Sequence, residues 1–428
     1  MTKIEKLYEK ADNDKMLLST LCRIYCCEED ELDGKKARIK KLLDNFREYA
    51  PDIDSACIYS APGRTEIGGN HTDHQRGCVL AAAVDMDALA VAAPNGTDIV
   101  RISSEGYPVI EADLSDLSPD PTGEIVSSDI VRGIAAAIKE KGYTPGGFTA
   151  CVTSNVPGGS GLSSSACFEV LIGTVFNDLF CENALSEMDI ARAGNYAENV
   201  FCGKPSGMLD QATASVGGLV SMDFSRDDPL IEKIEYDFEA NGYVLCVVET
   251  GASHADLTAE YASIPEDMKR VAEYFGYEVL SEIDEDDFWW QVGELKEKLG
   301  GRAVLRAIHY FDETARALEE ADALKKDELG RFLELVNESG RSSENCLQNI
   351  YPTGDPNERN MALALEFARR SLDTMGAYRV HGGGFAGTIQ AYVPTDMYDG
   401  FESSMEMIFG DGCCHRIKVR PVGGSKLI

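Results

Sequence analysis

The stretch VPGGSGLSSSA, Val156–Ala166, constrains this chain more than any other. It lies between the run GFTACVTSNV and the apolar run SSACFEVLIGTVFNDLF, so it reads as strand, glycine-rich turn and helix. Three glycines, Gly158, Gly159 and Gly161, let the backbone approach a ligand closely. A helix starting near Ser163 aims unpaired N–H groups and the positive end of its dipole at the turn, a ready site for phosphate. Ser163, Ser164 and Ser165 add hydroxyl donors and hard oxygen atoms suited to Mg²⁺. No lysine follows the glycines, so this is not the G-x-x-x-x-G-K-[ST] loop.

At 428 residues the chain is long for a single core and predicts two domains. An excess of 73 Asp and Glu over 40 Lys and Arg, net −33, argues against nucleic acid or an anionic membrane as partner, while leaving small substrates open. The first residues show no signal peptide, and no uninterrupted apolar run reaches the roughly 18 residues of a membrane span. The 13 cysteines include no C-x-x-C pair and fit neither a disulfide framework nor a zinc site. A cytoplasmic protein with reduced thiols is the expectation.

Residues 1–45 read as a helical extension with one buried face, as in KARIKKLLDNFREYA. Residues 46–230 then form a first domain and residues 231–428 a second, an α+β arrangement in which helix formers dominate residues 257–345. Helices are expected over residues 129–142 and near residues 187–202.

The segment APGRTEIGGNHTDHQRG, residues 61–77, crowds His71 and His74 beside Asp73. By itself it admits a metal site, a proton-transfer site or a surface that grips hydroxyls. No companion cluster supplies further metal ligands.

Three stretches in order, GRTEIGGNHTDHQRG, VPGGSGLSSSA and RVHGGGFAGT, resemble the three signatures of sugar kinases of the GHMP superfamily, galactokinases foremost. The resemblance covers the chain from near residue 45 onward and implies two α+β domains with the active site in the cleft between them. It implies phosphoryl transfer from ATP, with Mg²⁺, to the anomeric hydroxyl of galactose. In GKPSGMLDQ it places the catalytic aspartate on Asp210, with Arg64 beside it. Mg²⁺ would fall to Glu198 and Ser165, with Ser164 the second choice for the serine. ATP would be met by Gly159, Ser160, Gly161, Leu162, Ser163, Ser164 and Ser165, and by Ser104. Asn70, His71, Thr72, Asp73 and Tyr261 would meet the sugar, whose vicinal hydroxyls an aspartate can bind in pairs.

Departures accompany the resemblance. The first signature usually reads G-R-V-N-L-I-G-E-H-T-D-Y, whereas here Asn70 replaces the glutamate and His74 the tyrosine. TGASHADLTAEY keeps His254 and Tyr261 but lacks a basic residue, and His381 and Ala386 stand where Thr and Gly are common. The phosphoryl-transfer residues are whole, and the sugar is the open question: galactose first, galacturonate or an amino sugar second. A non-catalytic sugar and ATP sensor is the third reading. A monomer is the expected state.

Overall fold

The computed structural model describes residues 1–119, 126–204, 206–226, 228–251, 257–354, 357–385 and 387–428; His254 and Ala386 lie outside the described residues. After a short strand β1 (Thr2–Lys3) come helices α1 (Ile4–Asn13), α2 (Lys15–Tyr25) and α3 (Asp33–Tyr49). The side chain of Asp14 starts α2 by accepting from Met16 N and Leu17 N, satisfying two of the helix's unpaired donors. Two long strands follow, β2 (Ser55–Gly68) and β3 (Cys78–Pro94), then β4 (Ile99–Ser104) and β5 (Ile110–Asp113).

Next come α4 (Ser127–Glu140), β6 (Phe148–Ser154), α5 (Ser164–Phe180), α6 (Glu187–Tyr196), α7 (Leu209–Val216), β7 (Leu219–Asp223) and β8 (Leu230–Ile234). Past β9 (Tyr243–Glu249) the chain is helical through α8 (Thr258–Phe275), α9 (Glu285–Leu299), α10 (Gly301–Lys325), α11 (Leu329–Ser342) and α12 (Asn360–Leu372). It closes with β10 (Ala377–His381), β11 (Thr388–Pro394), α13 (Tyr398–Phe409), β12 (Cys414–Ile417) and β13 (Ser425–Lys426).

The strands form two sheets. The first runs β1-β2-β3-β6-β4-β5, with β13 on β2, β7 on β3 and β8 on β7; the second runs β10-β11-β9-β12. Among the described residues only β4 and β6 pair in parallel, so both run toward the phosphate-loop end of the sheet. The alternation in CVLAAAVDMDALAVAAP gives β3 two buried faces. Ala88, Ala90 and Ala92 belong to the core shared with α4 and α5, while Leu89, Val91 and Ala93 face a separate core built by α1 to α3.

The N-terminal helices are thus one layer of the first sheet. Their junction is Asp87, fully buried on β3. It accepts from Arg38 (2.5 Å), Tyr25 (2.9 Å) and Ser60 (2.5 Å), with Arg420 at 3.5 Å. The chain's end is equally committed, since β13 pairs with β2. One apolar core continues from the first sheet to Leu245, Val247 and Tyr392 of the second, so a division at residue 230 does not separate two independent cores.

The α+β class is as expected. The helix expected near residues 187–202 is two pieces: α6 ends at Tyr196 and Ala197–Phe201 continues as a wider π turn. One extra residue in the turn re-aims the side chains after it, and periodicity gives no sign of it. Among the described residues no helix is long and apolar enough to cross a membrane.

Replacing Asp87 with Asn should leave Arg38 and Arg420 buried against a neutral partner. A stability loss of about 3–5 kcal/mol is expected, read as a lower urea midpoint; an unchanged midpoint would show that the junction holds nothing.

Candidate active site

The β2 strand meets the phosphate loop at Gly63, where a side chain would come within 2.8 Å of Leu162 O. That contact lets Arg64 N donate to Leu162 O at 3.0 Å. The Arg64 guanidinium then joins two segments, donating from Nη1 to Gly161 O and from Nε to Asp210 Oδ1 at 2.6 Å. Ser163, left-handed at φ 57°, donates its hydroxyl to Asp210 Oδ2 at 2.6 Å. Asp210 lies in the first turn of α7, where the helix dipole favours negative charge. Burial alone would raise its pKa; the Arg64 charge and the bonds from Arg64 and Ser163 outweigh that and hold it below the ordinary range. The group is an ionised carboxylate at neutral pH.

These residues line a cleft of about 260 Å³ whose opposite wall is the turn Gly382–Gly384 with Tyr261 and His381. The turn's carbonyls are each held by a side chain. Gly382 O accepts from Asn70 Nδ2 at 2.8 Å, Gly383 O from His71 Nε2 at 3.1 Å, and Gly384 O from Tyr261 OH at 3.1 Å. Because His71 Nε2 must donate to a carbonyl and burial pushes the imidazole down to about 4, the ring is neutral and its Nδ1 is an acceptor. His381 is also buried and neutral, pushed down to about 3 by burial and then by Arg64 and Arg379. It bridges Thr65 Oγ1 (2.9 Å) and Thr388 Oγ1 (3.1 Å), directly behind Gly161.

Asp73 is close enough to Asp210 to feel its charge. Burial first and that repulsion second push its carboxyl up to about 6, against N–H bonds from His74 and Leu209. A Cβ on Gly207 would overlap Asp73 Oδ2, so glycine is required there.

Glu198 stands buried on the π turn. Lys204 Nζ donates to Oε1 at 2.9 Å, while Ser206 Oγ (2.6 Å) and Gln211 Nε2 (3.2 Å) donate to Oε2. Gln211 also donates to Glu169 Oε2 at 2.8 Å. Burial and the Glu198 charge raise the pKa of Glu169. Glu169 Oε1 and Gln211 Oε1 are buried with no hydrogen-bond partner. The oxygen-only donor set beside the exposed Ser164 and Ser165 suits a hard cation. Among the described residues no group of three His, Cys, Asp or Glu is arranged to hold a metal, so such a cation would depend on few protein ligands.

Several expected contacts lie elsewhere. Asn70 is fully enclosed, its amide hydrogens given to Glu66 (2.8 Å) and Gly382 and its oxygen to Asn349 (2.9 Å), so it offers no surface to a sugar. Thr72 is also buried and closes the local turn onto Gly69 O and Cys78 O. In the loop, Ser160 turns its hydroxyl inward to Pro157 O, and the Leu162 side chain belongs to the core. Thr72 and Ser160 turn inward because tight turns consume their own hydroxyls, and the Leu162 side chain because an apolar group at a helix start packs against the core. Ser104 ends β4, outside the cleft lining. Sequence reasoning missed Lys204, Gln211, Glu169, Asn349, Glu66 and Arg379. All but Asn349 lay inside a quoted stretch, yet nothing in the spacing marked any of the six.

Two family models match the chain. GHMP kinases N terminal domain covers residues 129–218, and Galactokinase galactose-binding signature covers residues 45–94. Among solved structures, Lactococcus lactis galactokinase complexed with galactose superposes with a TM-score of 0.77 at 22% identity, covering 91% of this chain and 99% of that one. Methanococcus jannaschii mevalonate kinase follows at TM-score 0.59 and 14% identity, covering 85% and 98%. Streptococcus pneumoniae phosphomevalonate kinase in complex with phosphomevalonate and AMPPNP gives 0.58 and 13%, covering 86% and 99%. The two family models fall on the sugar-signature strands and on the phosphate loop with the Asp210 helix, and the fold they sit in is that of the galactokinase and mevalonate kinase structures, so the chain is similar to galactokinase-like phosphotransferases of the GHMP kinases, which act on an alcohol group.

Proposed function

We propose that the protein moves the terminal phosphoryl group of ATP onto the anomeric hydroxyl of a galactose-type sugar, giving the sugar 1-phosphate, ADP and a proton. The observation that carries this reading is the Arg64–Asp210–Ser163 triangle at the mouth of the glycine loop. Phosphoryl transfer asks little covalent chemistry of a protein; it asks for position and charge. The loop backbone and the α5 N-terminus supply an anion site. Asp210, ionised, orients the sugar hydroxyl and takes its proton, while Arg64 keeps the carboxylate charged and offsets charge on the transferring oxygens. Ser163 donates to Asp210 Oδ2 and so helps keep the carboxylate ionised and oriented.

His71 Nδ1 and the Asp73 carboxylate supply acceptors for sugar hydroxyls. Tyr261 and the glycine turn form the facing wall. GHMP kinases use ATP with Mg²⁺. Here Ser165 and Glu198 would hold the ion, with Ser164 in reserve, and the unpartnered oxygens of Glu169 and Gln211 beside Glu198 fit an oxygen-seeking cation. When bound, the ion neutralises charge on the phosphates. Glu198 Oε1 accepts from Lys204, whose side chain is half-exposed.

Asp210→Asn should lower kcat by roughly 10²–10⁴-fold with sugar affinity retained; turnover at the wild-type rate would remove Asp210 from the base role. Asp73 is charged above about pH 6 and protonated below it. As an acceptor it should make the sugar KM rise as the pH falls through that value, with Asp73→Asn abolishing the rise. A sugar KM that is flat across that pH range in the wild type would show that Asp73 does not accept from the sugar. ADP release across galactose, galacturonate and amino sugars decides the acceptor, and silence across the panel would overturn the proposal.

A further inference from the structure

Position 70 is where the resemblance places an acid against the sugar, yet its amide is spent inside the protein. Asn70 Nδ2 donates to Glu66 Oε1 and to Gly382 O, both at 2.8 Å, and Asn70 Oδ1 accepts from Asn349 Nδ2 at 2.9 Å. Its backbone oxygen accepts from His309 Nε2 at 2.9 Å. A carboxylate at this position has no hydrogens for Gly382 O and would face the Glu66 carboxylate across a buried contact. The galactokinase signature quoted above has Asn in the place of Glu66 and Glu in the place of Asn70; this chain has them exchanged. The displaced charge is answered locally. Arg379, fully buried on β10, donates from Nη2 to Glu66 Oε1 at 2.8 Å and from Nη1 to Ile67 O.

We propose that Glu66 and Asn70 are a transposed acid–amide pair that acts as one positioning and specificity unit. Glu66, paired with Arg379, carries the acid behind the cleft wall, where burial pushes its carboxyl up to about 7 against the pull of the guanidinium. Asn70 spends both amide hydrogens, one on Glu66 and one on Gly382, and so fixes the glycine turn that faces Arg64 and Asp210. The end of the cleft beside position 70 therefore presents no carboxylate, and a sugar oxidised to an acid at the carbon lying there is not repelled. This specificity consequence rests on the sugar-kinase reading; the pairing itself does not.

The test is a double-mutant cycle on the full chain: Glu66→Asn, Asn70→Glu and both together, with Asn70→Asp as the isosteric control. Asn70→Glu should lower the melting temperature by several degrees and reduce kcat/KM by about tenfold or more. Glu66→Asn should also destabilise, since it leaves Arg379 unpaired. The double exchange should melt above either single variant and recover most of the lost turnover. Asn70→Asp should lose turnover despite its unchanged size, because it cannot donate.

A double variant no more stable than the worse single one, or an Asn70→Asp variant equal to wild type, would overturn the pairing. Where turnover is measurable, the ratio of galacturonate to galactose kcat/KM should fall by about tenfold or more in the double exchange, as the charge returns to the cleft wall. An unchanged ratio would overturn the specificity role. If no protein in the set, wild type included, phosphorylates any sugar, the sugar-kinase reading fails while the melting cycle still decides the pairing.

Discussion

The ion pair between Arg64 and Asp210 is the contact on which the cleft depends. It ties the β2 strand to the start of α7, and through Gly161 O it ties both to the glycine loop. Burial acting alone would raise the Asp210 pKa; the guanidinium is the largest influence against it and keeps the carboxylate charged. The same arginine also acts on neighbours. Its charge helps keep His381 neutral behind the loop, and it partly relieves the repulsion between Asp73 and Asp210. One side chain thus reaches three titratable groups of the site, with burial the larger influence on His381 and Asp73.

Beneath the cleft lies an unusually polar interior. Along α10, buried His309, Glu313 and Glu320 face the sugar signature from behind. His309 donates to Asn70 O, Glu313 accepts from Gly69 N at 3.2 Å, and Glu320 fills the space that a side chain on Gly68 would take. Burial raises the Glu320 carboxyl well above its ordinary range, whereas nearby positive groups hold Glu313 down to about 2. Two chemically identical acids on one helix therefore carry different charge, because their neighbours differ. Such an interior is costly unless each group is answered, and the reward is a loop held at both its side chains and its backbone.

The second sheet and the N-terminal helices serve the site at a distance. The β10–β11 hairpin brings Arg379, His381 and the glycine turn against β2, while Asp87 collects the extension, β3 and the tail into one rigid layer. The cleft walls are consequently parts of one packed body, and the core shared between the sheets is the reason.

What the sequence determined by itself was local. A β-branched run, three glycines and a serine-led apolar helix specify strand, turn and helix through short-range sterics, and they specify a phosphate-type turn wherever that unit is placed. The resemblance added the identities of Arg64, Glu198 and Asp210; the structure pairs Arg64 with Asp210 at the glycine loop and sets Glu198 against Gln211, the residue after Asp210. Tertiary structure decided which of the polar residues face the cleft. Asn70 and Thr72 stand in the same short motif as Asp73, yet their partners, Gly382 and Asn349 for the one and Cys78 for the other, use up their polar atoms. No periodicity signals a π turn at Glu198, and Glu169 is hidden in an apolar helix. Charge states were equally out of reach, because burial and arginines distant in sequence shift the pKa values of Asp210, Asp73 and Glu66.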